Sequence, residues 1–349
     1  MEIRMIRALD PLDRRPAPKR AMAVAILVIM VVTSACSGGA ATPSATSVAT
    51  PDSSASPAAT AAPSSSTSPA PLPGGRLAYG RFGSSGVSVF TTNTDGSDEQ
   101  ALLSSNAEGP RWAPDGGPLS VTAESSQGLI FAGVVNADGS DYVRFDSPDP
   151  TLQLGCFAWS PDASRLACEG WDDTDPTRNG IYTVSASDGG DVTRVTTSPD
   201  GRHDVPGDYS PDGRQIVFIR SDLVDEEHHA LMVINVDGSD EHALTDRKVG
   251  APGSWSPDGR TILTDADGSL LLIPVDGSQP SPITIDEAAD GFALRGAWSP
   301  DGDWIVFSLM VNGGYSDIYI MRKDGIDLRQ ITDTPGQDEE YGDWGVAAQ

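Results

Sequence analysis

The chain is predicted to fold as an all-β, six-bladed β-propeller of four-stranded antiparallel blades. Two alternating phrases and their spacing carry that prediction. The first phrase is an aromatic residue opening a tight turn: Trp112-Ala-Pro-Asp-Gly, Trp159-Ser-Pro-Asp-Ala, Tyr209-Ser-Pro-Asp-Gly, Trp255-Ser-Pro-Asp-Gly, Trp298-Ser-Pro-Asp-Gly and a degenerate Trp344-Gly. The second is an Asp-Gly hairpin, at Asp95, Asp138, Asp188, Asp237, Asp276 and Asp324. Successive aromatic positions lie 47, 50, 46, 43 and 46 residues apart, the period of a four-stranded blade rather than of a helical repeat.

The chemistry of each phrase agrees with its count. In Ser-Pro-Asp-Gly, proline pre-sets the second turn residue, serine suits the first position and glycine the last, the composition of a type I turn. Asp-Gly between apolar runs accepts the positive backbone angles of a two-residue hairpin. Between the turns stand runs such as Gln215-Ile-Val-Phe-Ile219, Leu231-Met-Val-Ile234, Leu270-Leu-Leu-Ile273 and Ile318-Tyr-Ile-Met321. Their length and near-continuous apolarity read as strands covered on both faces, and neighbouring blades supply the cover.

The order aromatic-Ser-Pro-Asp-Gly, strand, strand, Asp-Gly, then a pair such as Leu244-Thr245 or Ile331-Thr332, resembles the repeat of TolB-type β-propellers, relatives of WD repeats. The resemblance spans everything after residue 75. It implies a binding module for envelope proteins, although TolB proper carries an additional N-terminal domain where this chain has a low-complexity stretch. Fold resemblance alone does not assign chemistry, because one propeller architecture hosts scaffolds, sensors and enzymes.

Three segments follow from composition. Residues 1–36 place Arg14, Arg15, Lys19 and Arg20 before the 12-residue apolar stretch Ala21–Val32, ending at Thr33-Ser-Ala-Cys36. Such a stretch is too short to span a bilayer and suits a secretory signal. Its end resembles a bacterial lipobox, which implies Cys36 as the lipidated residue, with threonine three positions earlier departing from the usual Leu or Val; an uncleaved anchor or ordinary secretion is the alternative. Residues 37–74 are almost entirely Ala, Ser, Thr, Pro and Gly, with one charge, Asp52, and no aromatic residue. They are read as a disordered tether with a coil dimension of about 35 Å. Residues 75–349 form the propeller, ring-closed by pairing the strand Glu340–Trp344 beside residues 76–103, which removes an open sheet edge.

Charge and motif content narrow the partners. The formal net charge is −27, and removing residues 1–36 leaves 17 basic against 47 acidic residues. Nucleic acid is excluded as a partner on that balance, since its binding rests on Lys and Arg. Much of the acidity sits in the repeated turns. No G-x-S-x-G elbow occurs, so the gating-domain hydrolase arrangement lacks its nucleophile motif.

Two metal-like patterns read as loops. Asn93-Thr-Asp-Gly-Ser-Asp98, Asn136-Ala-Asp-Gly-Ser-Asp141 and Asn235-Val-Asp-Gly-Ser-Asp240 lack the flanking carboxylates of a calcium loop, because the outer positions hold Thr91, Val134 and Val233, then Leu102, Phe145 and Leu244. Asp222-Leu-Val-Asp-Glu-Glu-His-His229 offers His228 and His229 as weak metal candidates, read first as a solvated loop between strands. No cofactor is expected. Cys156 and Cys168 flank one turn symmetrically. They form either a disulfide, stabilising by about 3 kcal/mol in the chain-entropy model, or two buried thiols.

Function is expected on the rim opposite the turns, in the irregular segments 169–179, 197–208, 221–229, 286–295, 309–316 and 333–341. Within them Trp171, Arg178, Arg202, Arg295 and Tyr315 are the candidate contact residues by type. The expected role is a non-catalytic, lipid-anchored binding or scaffold propeller facing outside the cytoplasm, with an envelope or extracellular protein or a small ligand as partner. The competing expectations are a lactonase, lyase or hydrolase with a metal on the central axis, and a surface solute-capture or sensor module.

Overall fold

The computed structural model describes residues 72–346 except 85, 105, 127, 199–201, 223–228 and 286–290. The signal segment, Cys36, nearly all of the tether and His228 lie outside the described residues. The chain begins with β1 (Arg76–Gly83), β2 (Gly86–Asn93) and β3 (Gln100–Leu103). The second blade comprises β4 (Ala107–Trp112), β5 (Pro118–Glu124), β6 (Ile130–Asn136) and β7 (Val143–Arg144), and the third β8 (Leu152–Trp159), β9 (Arg165–Asp172), β10 (Gly180–Ser185) and β11 (Thr193–Arg194). The fourth is β12 (Arg202–Tyr209), β13 (Gln215–Asp222), β14 (His229–Asn235) and β15 (His242–Ala243), and the fifth β16 (Ser254–Trp255), β17 (Thr261–Ala266), β18 (Ser269–Pro274) and β19 (Ser281–Pro282). The sixth is β20 (Phe292–Trp298), β21 (Trp304–Met310), β22 (Ser316–Arg322) and β23 (Arg329–Gln330). The last strand, β24 (Asp338–Gly345), returns to pair with β1, giving six four-stranded antiparallel sheets. The expected closure of the ring is therefore present, with β24 as the innermost strand of the first blade.

The turns stand where the sequence put them. Ser256 Oγ donates to Asp258 Oδ1 at 2.7 Å and accepts from Thr261 N at 3.0 Å, while Asp258 Oδ1 also accepts from Arg260 N at 3.1 Å. The same bonds recur at Ser160/Asp162, Ser210/Asp212 and Ser299/Asp301. One hydroxyl and one carboxylate thus satisfy the backbone donors that the chain reversal leaves unpaired.

The core lies between blades rather than inside any one of them. Ala158, Ala167 and Ile181 of the third blade pack with Tyr209, Ile216, Phe218 and Ile234 of the fourth. Leu263 and Leu270 of the fifth pack with Ile305, Phe307 and Met321 of the sixth. Phe218 and Phe307 are fully buried, each burial contributing about 1.5–3 kcal/mol.

The segments 197–208, 286–295 and 333–341 are not simply connecting loops. Their C-terminal parts belong to the innermost strands β12, β20 and β24. The reason is the polarity of a strand at the central axis: Arg202-His-Asp-Val-Pro-Gly-Asp208 carries no apolar run because one edge faces the channel instead of a core.

Candidate functional site

Five of the six innermost strands break register at the same place, starting three or four residues before the aromatic and ending one residue before it. The interruptions fall between Glu108 and Arg111, Cys156 and Ala158, Pro206 and Asp208, Leu294 and Ala297, and opposite Ala78/Gly80 in the first blade. At three of these bulges the backbone turns left-handed, with φ of 59° at Gly109, 54° at Arg295 and 60° at Tyr341. A bulge re-aims side chains. At the bulge of the fourth blade glycine is required: a Cβ on Gly207 would lie 2.2 Å from Gly253 O.

The bulges bring charged groups from several blades together. Arg295 Nε lies 3.3 Å from Glu340 Oε2 of the first blade, and its guanidinium sits 4.1 Å from the centre of the Tyr341 ring. Its backbone N–H donates to Asp265 Oδ1 at 3.0 Å. Burial pushes the Glu108 carboxyl up to about 7, with Arg295 drawing it back and Glu340 raising it further. Nearer the turns, Asp343 Oδ2 accepts from Trp112 N at 2.6 Å, and its Oδ1 is 3.8 Å from Arg111 Nη1. Asp208 Oδ2 accepts from Trp255 N at 3.1 Å. Burial raises Asp208 to about 7, Asp265 to about 6 and Asp343 above the usual carboxylate range. Arg111, Phe157, Asp208, Ser254 and Asp343, from five blades, line a cavity of about 110 Å³.

A separate buried pair joins the third and fourth blades: His203 Nδ1 and Glu169 Oε1 are 2.7 Å apart. His203 also faces Ser221 across the β12–β13 pairing, and the buried Ser221 hydroxyl has no hydrogen-bond partner. Burial raises the Glu169 carboxyl, and the bond from His203 opposes that rise. Ser221 is sealed from solvent, so this trio offers no accessible nucleophile. Among the described residues no group of three or more His, Cys, Asp or Glu is placed to hold a metal ion.

The family model described as the TolB beta propeller domain, PD40, matches residues 46–290. The chain belongs to the TolB β-propeller family. Among solved structures, TolB from Acinetobacter baumannii is 18% identical, with a TM-score of 0.61 over 78% of this chain and 67% of that one. The putative TolB from Agrobacterium tumefaciens is 19% identical, with a TM-score of 0.56 over 77% and 98%. Hydrazine synthase from Kuenenia stuttgartiensis is 12% identical, with a TM-score of 0.60 over 78% and 46%. At these identities the likeness is one of fold. A comparison with curated protein sequences finds no match.

In this TolB-type propeller the repeated aromatics Trp112, Trp159, Tyr209, Trp255, Trp298 and Trp344 end the innermost strands, where they are buried or nearly so. Asp95, Asp138, Asp188, Asp237, Asp276 and Asp324 occupy the outer turns on the same rim. The candidate contact residues do not form one surface. Trp171 is buried in β9. Arg178 is held by Asp149 Oδ2 and Asp172 Oδ2, both at 2.7 Å, and so fastens the 169–179 loop. Arg202 opens β12 opposite Asp222. Arg295 lines the axis instead of a loop, and Tyr315 alone is well exposed at the loop rim. His229 begins β14 rather than lying in the loop. Cys156 and Cys168 are bridged.

Sequence reading missed the axial carboxylates and Arg111. Their signal was the position four or one before three of the repeated aromatics, Trp112, Tyr209 and Trp344, which holds Glu108, Glu340, Arg111, Asp208 and Asp343. It also missed a device built twice. Arg220 binds Asp204 at 2.7 and 2.8 Å and Glu241 at 2.6 and 3.0 Å. Arg81 likewise binds Glu339 and Glu99, both at 2.5 Å.

Proposed function

We propose that this chain is a non-catalytic, exported and lipid-anchored binding propeller, which takes a segment of an envelope or extracellular protein at its axial channel and loop rim. The observation that carries the reading is the set of oppositely charged groups gathered on the axis from different blades: Glu340 and Asp343 from the first, Glu108 and Arg111 from the second, Asp208 from the fourth and Arg295 from the sixth. The ion pairs of Arg111 and Arg295 are loose, at 3.8 and 3.3 Å, and Arg111 Nε also donates to Phe157 O at 3.2 Å. An incoming carboxylate or ammonium therefore replaces weak contacts with hydrogen-bonded ones, and charge placement of this kind sets specificity and register. The chain's net charge of −27 favours a basic partner.

Two further features support export and orientation. The basic and apolar leader ending at Cys36 has the composition of a lipoprotein signal, and a disulfide suits an oxidising compartment. The chain enters the propeller on the turn rim, where Thr94 Oγ1 donates to Pro73 O and Trp344 Nε1 to Gly74 O. The loops stand on the rim opposite that entry.

The test is affinity capture from detergent-solubilised envelope with full-length protein, beside a double variant Glu108→Gln/Arg295→Gln whose melting temperature is measured in parallel. A protein retained by the native chain and lost with a folded variant supports the reading. Identical retention by both overturns it, as does divalent-ion-dependent turnover of lactone or uronate substrates by the purified chain.

A further inference from the structure

At the loop-rim end of the axial channel, three side chains from two blades keep oxygen atoms without donors. Tyr341 of the first blade is 8% exposed, yet among the described residues its hydroxyl makes no hydrogen bond, and unlike the Tyr209 hydroxyl it is not sealed from solvent. Arg295, Glu108, Glu340 and Arg111 all act on that phenol, which places its hydroxyl on the axis. The ring is held by the Arg295 guanidinium at 4.1 Å and by the Phe82 ring at 5.9 Å. Glu340, also of the first blade, has Arg295 Nε at 3.3 Å from Oε2, and its Oε1 is free among the described residues. Glu108 of the second blade has no hydrogen bond or ion pair among them at all, and its carboxylate oxygens are likewise open.

The charge and the number of open acceptors define the ligand. Asp265 is already occupied: its Oδ1 accepts from Arg295 N at 3.0 Å, and its Oδ2 lies over Gly250, where a Cβ would come within 2.1 Å. Glu108, Glu340 and Asp265 thus stand against the single guanidinium of Arg295, which they and Tyr341 hold above the ordinary arginine value although burial opposes its charge. An anion would meet the same three carboxylates and is excluded. Burial pushes Glu108 up to about 7, so the chamber keeps a proton where a further cation has room. These groups are not placed to hold a metal ion. A primary ammonium brings three donors and no acceptor, matching Glu108, Glu340 and the Tyr341 hydroxyl, whereas a guanidinium brings five donors in a flat fork. The hydroxyl belongs to a buried residue, so the cation must come on a long, slender stem, as lysine carries it.

We infer that this chamber receives a lysine side chain of the partner segment, whose ammonium donates to the Glu108 and Glu340 carboxylates and to the Tyr341 hydroxyl while Arg295 stays on the Tyr341 ring. The inference rests on the protein-binding reading of the channel and narrows it to a segment with an exposed lysine.

The experiment is calorimetric titration of the full-length protein in detergent with an end-blocked glycine pentapeptide carrying a central lysine. The same peptide carrying Nε-acetyl-lysine, arginine or glutamate, and cadaverine as a free amine, are titrated beside it. Saturable binding of the lysine peptide is expected, with weaker binding of the arginine peptide and of cadaverine and none of the other two. Glu108→Gln weakens it about tenfold or more, and Tyr341→Phe, which keeps the ring under Arg295, weakens it several-fold, both without lowering the melting temperature. Affinity rises from about pH 6 to about pH 8 as Glu108 releases its proton beside Glu124, Glu340 and Arg295, and Glu108→Gln abolishes that dependence. No saturable binding of the lysine peptide, equal binding of its acetylated or arginine form, or an affinity unaltered by both variants overturns the assignment. Tighter binding of cadaverine also overturns it, in favour of a free amine. The protein-binding reading itself stands or falls on the envelope capture, so the two failures are told apart.

Discussion

At the scale of single residues, the fold is fastened by polar groups whose partners come from other strands. Arg220 is 7% exposed and Asp204 not at all, and the two form a bidentate pair that Glu241 completes from the far side of the sheet. Removing the guanidinium leaves a buried carboxylate uncompensated, whereas replacing both partners together does not. Arg220→Ala is therefore expected to lose about 3–5 kcal/mol of unfolding free energy. Arg214→Ala, at a side chain 84% exposed, changes it by less than about 0.5 kcal/mol. Urea unfolding of the two variants decides this, and equal midpoints would show that the triad is dispensable. The serine and aspartate of each turn are fastened more lightly, through neutral or exposed bonds that any one repeat can lose: Ala113 replaces serine in the second blade, and of the side-chain bonds its turn keeps the one from Gly117 N to Asp115, beside the backbone bond from Gly116 N to Ala113 O.

At the scale of strands, the third blade carries the one disulfide among the described residues, joining register partners on β8 and β9. The Cys156→Ala/Cys168→Ala protein is expected to lose about 3 kcal/mol, the chain-entropy value for so short a loop. Reduction of the native protein reproduces the loss in a calorimeter. A change below about 0.5 kcal/mol would mean that the bridge adds no constraint. What could be read in advance follows strand position. The second and third strands of each blade, such as Gln215–Asp222 and Ser316–Arg322, are sandwiched between neighbours and so announce themselves as apolar runs. The innermost strands do not, because their residues answer to three surroundings at once: Val205 is buried, Arg202 and Asp208 are half-buried, and Gly207 is forced by the backbone of the next blade. Arg295 illustrates the consequence for the site. A positive φ at a non-glycine residue and a bulge aim it inward, and neither leaves a trace in composition or spacing. The hairpin aspartates were legible for the opposite reason, since their bonds are all local, as Asp95 Oδ1 to Ser97 N shows.

At the scale of the whole molecule, two populations of acids respond to pH in opposite senses. Asp162, Asp212 and Asp258 of the turns are held low, Asp162 at about 2, first by the hydroxyl of Ser160 and then by Ser164. A depressed folded value gives stability that is present above the unfolded value near 4 and is lost as pH falls toward 2. Glu108 and Asp208 at about 7 and Asp265 at about 6 are raised by burial. They bind protons in the folded state that the unfolded chain has released, so stability declines as pH rises from about 4 to about 7 and then levels off. The melting temperature is expected to peak near pH 4–5 and fall on both sides. A monotonic rise to pH 7 would show that the axial carboxylates are ionised and compensated in the folded protein. The ring closure has a different consequence, one of timing. Arg76 faces Gly345, and Phe82 faces Asp338, so the earliest strands to be synthesised hold open the place that the latest must fill. The first blade is the last to be finished. Until then β1 presents a bare edge to every other emerging chain, where a foreign strand can add. The long span between the two partners makes that wait a slow step in maturation.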